Sequence, residues 1–475
     1  MMLLLSALGE TGQMLRHLIT PKKSDPTLRD AVAIKSGFVW SLLNGNIITW
    51  TKFKGGRPCL SSLFKPTSGA DHTSPAMTVI TPETFTPLTW SMSEIRAAIP
   101  AHLFQRNGFK SSLYLIRDVA LAAMLWYAAT FIDPFFAQVS AAGKAYENVA
   151  IVGQAAAWLT YWWFQGLVLT GIWVVGHECG HGAFSGSGKV NDALGYVLHT
   201  FLWTPYFSWK IVHHRHHANH ASMEKDEVYV PKTRSDLGLP PPDEEGIDYA
   251  EVLGDTPIYT LFMLIRQQTL AFPAYLFLNV SGQKHYPKWS NHFNPNAIMF
   301  NPSQRNAVIA SDIGMLAMVA LTVRASQIYG FSEVVKYYLL PWLCVSHWFI
   351  MITYLHHTSA DLPHYREGKW NFQRGAAATT DRDFLGWQGR FFLHDVAHFH
   401  VVHHFFPQMP HYHGEEATGY LKKLIGEHYR QSNEPVFKAL WKTYNECQFV
   451  EDDGEVLFYK NRKGNYAVLD QPQTK

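Results

Sequence analysis

His177-Glu178-Cys179-Gly180-His181 stands at the end of the apolar run Val149–Val175, and related histidine spacing returns at His213-x-x-His216-His217 and His400-x-x-His403-His404. Imidazoles at i, i+3 or i+4 stack on one face of a helix. With a rise of about 1.5 Å per residue, His177 and His181 stand about 6 Å apart along the axis, so their ring nitrogens can converge on one metal. A lone HxxxH is more often surface or core histidine. Three clusters supply eight candidate ligands, too many for one tetrahedral zinc and suited to two metals.

The apolar run that carries the first box is one of several. In a chain of 475 residues, 47% hydrophobic and 14% aromatic, Val119–Gln138, Val149–Val175, Ile258–Val280, Ala307–Tyr329 and Val334–Leu355 each approach the length of about 20 residues that crosses a bilayer. Leu194–Trp209 is shorter and broken by Pro205, which fits an interfacial segment. If the boxes meet at one site they lie on one membrane face, so an even number of crossings separates the second from the third. Ile258–Val280 carries Arg266-Gln267-Gln268 and Pro273, costly in hydrocarbon, and is therefore expected in the interface. Four spans remain, as two hairpins turning near Ala141–Glu147 and Gly330–Glu333.

Basic residues agree with this arrangement. Arg106, Lys110, Arg117, Arg305, Arg366, Lys369 and Arg374 all fall on the histidine-bearing side, which the positive-inside rule makes cytosolic. The fold expected is an all-α integral membrane protein of four transmembrane helices with a cytosolic histidine-rich helical cap. Within it, 77–116 is a cytosolic N-terminal segment, 117–430 the membrane domain and 431–475 a cytosolic tail. Residues 1–76, with a polar stretch around Lys52–Ser68 and a second possible start at Met77, are expected to be either a disordered leader or an untranslated extension ahead of Met77, with no function assigned. The sequon Asn279-Val280-Ser281 would lie in the cytosol, out of reach of glycosylation.

A net charge of +2 gives no reason to expect nucleic acid as a partner. The four cysteines form no CxxC pair and suggest a reduced, cytosol-facing protein. Ligand number favours two metals of high coordination, hence iron over structural zinc. A redox metal pair beside apolar helices suits oxidation of a lipid chain, because an unactivated methylene offers acid–base catalysis nothing to work on. Asp226, Glu227 and Asp395 flank the boxes and are candidates to orient the imidazoles. His357, beside His356 where the last apolar run ends, is a candidate ninth ligand. Two other readings use fewer of these residues. HECGH fits HExxH of an intramembrane zinc protease with Glu178 as base, but leaves two boxes idle. A histidine-rich receptor binding one zinc would need only three histidines.

At these boxes the sequence resembles the membrane fatty acid desaturases, specifically the Δ12 (oleate) group of fungi and plants. The likeness runs from about Ile95 to Tyr459. It is carried by HECGHGAFS at His177–Ser185, WKIVHHRHHANH at Trp209–His220, DEVYVP at Asp226–Pro231, TYLHHTSADLPHY at Thr353–Tyr365, RGAAATTDRDF at Arg374–Phe384 and HVVHHFFPQMPHYHGEEAT at His400–Thr418. The resemblance implies an endoplasmic-reticulum membrane enzyme with two iron ions. It would use dioxygen and two electrons, from cytochrome b5 and its reductase, to place a cis double bond in a fatty acyl substrate such as a phospholipid- or CoA-linked oleoyl chain. No HPGG-type haem motif is present, so a separate donor is implied. The implied ligands are His177, His181, His213, His216, His217, His400, His403 and His404, with His357 matching an extra histidine. Gly182, His356 and Ala397-His398-Phe399 depart from common family residues without removing a ligand. The same boxes occur in ω3 desaturases, acetylenases, conjugases and hydroxylases, so double-bond position is less firmly implied than the chemistry.

Overall fold

The computed structural model describes residues 78–469 apart from 245–246, 250–253 and 255, so the expected leader at 1–76 lies outside the described residues. Helix α1 (Met92–Ala98) opens with a reciprocal cap between Ser91 and Glu94, which satisfies two otherwise free backbone donors. Asn107 caps α2 (Gly108–Ala129) by accepting from the Lys110 N–H. After a break at Thr130–Phe131 the chain continues as α3 (Ile132–Ala141), turns at Gly143, and returns as α4 (Glu147–His181). Gly182, at φ 74°, stops α4 directly after His181 in a left-handed cap. Next come α5 (Gly188–Phe201), capped by Ser187, and α6 (Tyr206–Asn219), separated at Pro205 as the sequence predicts. Then follow α7 (Pro257–Leu278), α8 (Arg305–Tyr329), a turn at Gly330 and α9 (Phe331–His357), which contains one π-helical turn at Val335–Leu339. Short helices complete the cap: α10 (Phe372–Ala377), α11 (Trp387–Phe392), α12 (His400–Phe405), α13 (Gly414–Ile425) and α14 (Val436–Glu446).

Among the described residues, four helical stretches are long and apolar enough to cross a bilayer: Gly108–Ala141, Pro257–Leu278, Pro302–Tyr329 and Phe331–His357. Three of them contain expected spans. Pro257–Leu278 is the difference: its Leu, Ile, Phe and Ala outweigh Arg266, Gln267 and Gln268, and it takes the place in this set expected for α4. Trp, Tyr and Gln lower the hydropathy of α4, and every residue from Gln165 to His181 is buried against protein rather than turned to lipid.

Contacts at the helix ends separate these two helices again. Thr260, in the first turn of α7, bonds Asn445 and Arg462 of the C-terminal region. Just beyond its other end, Ser281 donates to the Val228 carbonyl and Gln283 to those of Met223 and Asp226. Both ends of α7 are thus fastened to the histidine-bearing cap. Helices α4 and α9 instead carry histidines at one end and meet a hairpin turn at the other. Far from the cap, Tyr161 and Trp162 donate to the Tyr337 and Lys336 carbonyls, and Lys336 pairs with Asp133 at 2.6 Å. Close approach holds α4 to α9, since a Cβ on Gly166 would stand 2.4 Å from the Cys344 Cβ.

The stretch expected as a tail, 431–475, is drawn into the cap as far as it is described. Numbered along the chain, β1 (Thr78–Val79), β2 (His364–Tyr365) and β3 (Thr380–Arg382) pair respectively with β6 (Val468–Leu469), β5 (Val456–Leu457) and β4 (Arg430–Ser432). Val436, Ala439 and Leu440 of α14 bury against Trp348, Met351 and Leu355 of α9.

Candidate metal centre and cavity

The boxes come together where α4, α6, α9 and α12 end in the cap. His177 and His181 from α4, His213 and His217 from α6 and His403 from α12 have ligand atoms within 4.8 Å of one another. Their Nε2 atoms face inward, at 3.2 Å between His177 and His181 and 3.2 Å between His213 and His217. A second set joins His216, His220 and His357 on one side and His357, His400 and His404 on the other, each trio within the same 4.8 Å. His357 and His400 approach Nε2 to Nε2 at 3.4 Å. Stacking of His217 on His404, with ring centroids 4.3 Å apart, keeps the sets adjacent. All nine histidines expected from the sequence are therefore brought together, and His220 joins them.

Hydrogen bonds from the outer nitrogens orient several rings. Asp226 is fully buried and lies with both oxygens 3.1 Å from His216 Nδ1. His357 Nδ1 meets the Thr379 hydroxyl at 3.3 Å, and His400 Nδ1 meets the Val396 carbonyl at 3.2 Å. Asp381 accepts from the Val401 N–H at 2.7 Å and so anchors the start of α12. Glu178 lies 3.5 Å from His177 Nδ1 and accepts from the His411 N–H.

Of the three carboxylates the sequence singled out, Asp226 alone meets a box histidine. Glu227 is engaged by Arg215 and Tyr286, because it faces the opposite side of the loop from Asp226. Asp395, at φ 59°, turns toward His398 and Arg390. Sequence spacing missed Asp381 and Thr379, whose partners are about 20 residues away; only the i, i+4 step from His216 could have pointed to His220.

Burial, reinforced by repulsion among neighbouring imidazoles, holds His213, His217, His400 and His404 well below the usual histidine range, and His403 at about 3. The rings are thus neutral, the form that binds metal. Burial alone would raise the Asp226 carboxyl, but its contacts with His216 and His220 overcome this and hold it below the carboxylate range. Several buried ring nitrogens have no hydrogen-bond partner, among them His217 Nδ1, His403 Nε2 and both nitrogens of His404. Imidazole nitrogens crowded together out of water without partners are costly in a protein and natural around a cation. These clusters of imidazole donors are able to hold metal.

Beside them opens a cavity lined by apolar groups such as Trp173, Val174, Phe349 and Ile350. It ends on His177 and His213 of the first set and on His216, His357 and His400 of the second. Phe349 precedes His357 by eight residues, so the cavity reaches about 12 Å into the helical core from the imidazoles.

The sequence matches the fatty acid desaturase family over residues 156–435, more than half of the chain. It is 44% identical over 377 residues to a Delta(12) fatty acid desaturase of Mortierella isabellina, covering 78% of this chain and 90% of that one. An oleate hydroxylase of Claviceps purpurea is 38% identical over 408 residues, covering 80% and 82%. An endoplasmic reticulum omega-6 fatty acid desaturase of Brassica juncea is 39% identical over 378 residues, covering 78% and 92%. With long apolar helices below and clustered imidazoles above, the chain is a multi-pass membrane oxidoreductase that belongs to the fatty acid desaturase family.

Proposed function

We propose that the protein is a Δ12 desaturase, which converts oleoyl to linoleoyl chains in the endoplasmic reticulum membrane. The observation that carries this reading is the apolar cavity that ends on histidines of both sets. A saturated hydrocarbon segment lying in it would present its methylenes to both metal positions at once. Similarity to Delta(12) desaturases supports the bond position, and the Brassica juncea relative supports the compartment.

The residues assigned to metal are His177, His181, His213, His217 and His403 for one iron, and His216, His357, His400 and His404 for the other. Two irons held there would activate dioxygen and supply the oxidising power that removal of hydrogen from an unactivated methylene requires. In the balanced reaction, dioxygen, two electrons and two protons join two hydrogens of the acyl chain to form two waters and the double bond. The part played by the protein is positional. Trp173, Phe349 and Ile350 exclude water and fix the chain against the histidines. Asp226, Thr379 and the Val396 carbonyl keep the rings aimed. The electrons would come from cytochrome b5 and its reductase, and the acyl chain on phospholipid or coenzyme A.

We assign the crossings to the two hairpins, Gly108–Ala141 with Glu147–His181 and Arg305–Tyr329 with Phe331–His357, on the strength of the double tether of α7 to the cap. The cap then lies in the cytosol with the basic residues flanking the spans. A second reading, hydroxylation of the same carbons, is favoured by the 38% identity to an oleate hydroxylase. Expression from Met77 in a yeast that lacks polyunsaturates, with double bonds located by mass spectrometry, tests both. An 18:2 product with a new cis Δ12 bond, abolished by His403→Ala, is expected. A hydroxylated product would move the chain to the second reading, and a Δ15, conjugated or acetylenic product would refute the Δ12 assignment.

A further inference from the structure

Asp312 stands seven residues inside α8, about 10 Å along the axis from Arg305. Its carboxyl has neither a hydrogen bond nor an ion pair among the described residues, and Oδ1 is shut off from solvent. A lone carboxyl at that depth in a spanning helix is costly and marks a place where a polar ligand is met. Asp312 lines a cavity whose walls are largely apolar, among them Phe272 and Leu276 of α7, Met315 and Val319 of α8 and Trp342 of α9. This is not the cavity of the histidines. Ala271 and Tyr275 turn the opposite face of α7 to that one, and Phe272 meets its Phe349 edge to face with ring centroids 4.8 Å apart, so α7 forms the partition. Phe277, Leu316 and Val319 are exposed along the second cavity, which gives it access from the bilayer.

The chemistry of the lining selects the ligand. Apart from Asp312 its side chains carry no oxygen, and the remaining polar groups are the indole N–H donors of Trp203 and Trp342, of which the second already donates to the Leu202 carbonyl. A metal ion would find one carboxyl and no further oxygen ligand. An ammonium would bring three N–H donors to that single acceptor group, and a second carboxylate would be repelled. A hydroxyl is served by one carboxyl in either protonation state, because it donates to the ionised form and accepts from the protonated one. We propose that this cavity binds a neutral lipid with a hydroxyl head, a sterol or a diacylglycerol, whose hydroxyl bonds Asp312 while its apolar body lies along Leu276, Met315 and Val319. The site is separate from the acyl cavity and needs neither metal position.

The test uses the full chain, loaded with iron, in nanodiscs of dioleoylphosphatidylcholine. The probe is a photoreactive cholesterol with a diazirine on its side chain and a free 3-hydroxyl. Saturable labelling of α7 or α8 beside the cavity is expected, read by peptide mass spectrometry. A probe without the 3-hydroxyl should bind about tenfold less tightly, the worth of one hydrogen bond to a charged group. Asp312→Leu should lose the same factor with iron content unchanged, since Asp312 lies outside both histidine sets. Val319→Trp fills the cavity and spares the carboxyl, so it should abolish labelling and decides the matter should Asp312→Leu fail to fold. Unlabelled cholesterol and dioleoylglycerol, added as competitors, separate the two sources, and displacement by either supports the site. Displacement by neither, equal labelling by the probe without its hydroxyl, or wild-type labelling of Asp312→Leu or of Val319→Trp would overturn the proposal.

Discussion

Replacing Asp226 by asparagine keeps the size of the side chain and removes the charge that holds the second set of histidines in order. In the native protein both Asp226 oxygens lie 3.1 Å from His216 Nδ1, and Oδ1 also accepts from the Val228 N–H at 3.0 Å. An asparagine can retain the backbone bond through its carbonyl, but its NH₂ then faces the His216 Nδ1–H, donor against donor. A hydrogen bond to a charged group contributes about 1.5–3 kcal/mol. At about 1.4 kcal/mol per tenfold, that corresponds to a loss of roughly 10- to 100-fold in affinity for metal at the second position. Other groups that orient metal ligands fall in the same range. His177, His181, His213, His217 and His403 do not touch Asp226, so the first position should keep its affinity. The assay is iron bound per chain as free iron is lowered with a graded chelator, run beside linoleate formation in the same preparation. Wild type should lose its two irons over a narrow range, and Asp226→Asn should split the curve, one iron leaving 10- to 100-fold earlier. Asparagine protein that holds both irons with wild-type affinity would falsify the orienting role. Equal weakening of both positions would refute the independence of the two sets.

Other expectations follow from packing and burial. Gly166→Ala should lower thermal stability by about 1–3 kcal/mol, because the new methyl meets the Cys344 Cβ at 2.4 Å and must push α4 from α9; unchanged melting would show that the two helices do not pack so closely. Ile350→Trp fills the cavity beside the histidines without touching them, so acyl conversion should fall at least tenfold while iron content stays at the wild-type level. Loss of iron in that variant would mean that the cavity and the metal sets are not separable. Burial raises the Asp381 carboxyl to about 7, against hydrogen bonds from Tyr429 and Val401. A raised folded value stabilises the protein below the unfolded carboxyl range near 4 and loses that contribution as pH rises through about 7. Melting temperature should therefore decline across that window, and Asp381→Asn should flatten the decline; an equally steep profile in the variant would refute it.

Much of the protein is legible along the chain because its signals are local. Apolar runs of bilayer length, the turns at Gly143 and Gly330, the break at Pro205 and the approach of His177 to His181 each depend on a few consecutive residues, and each appears in the structure. The nine expected histidines do converge, since one face of a helix can be read from spacing alone. What spacing does not contain is the direction in which one helix end meets another. Only the tertiary structure divides His213 and His217 from His216, which share a helix but turn to different partners. Likewise it brings Thr379 to His357 and Asp381 to α12 across more than 15 residues, turns Glu227 and Asp395 away, and admits His220. Composition alone ranks α7 above α4 as an apolar span, whereas every residue of α4 from Gln165 to His181 is buried and both ends of α7 are tied to the cap, contacts that arise only when distant parts of the chain meet.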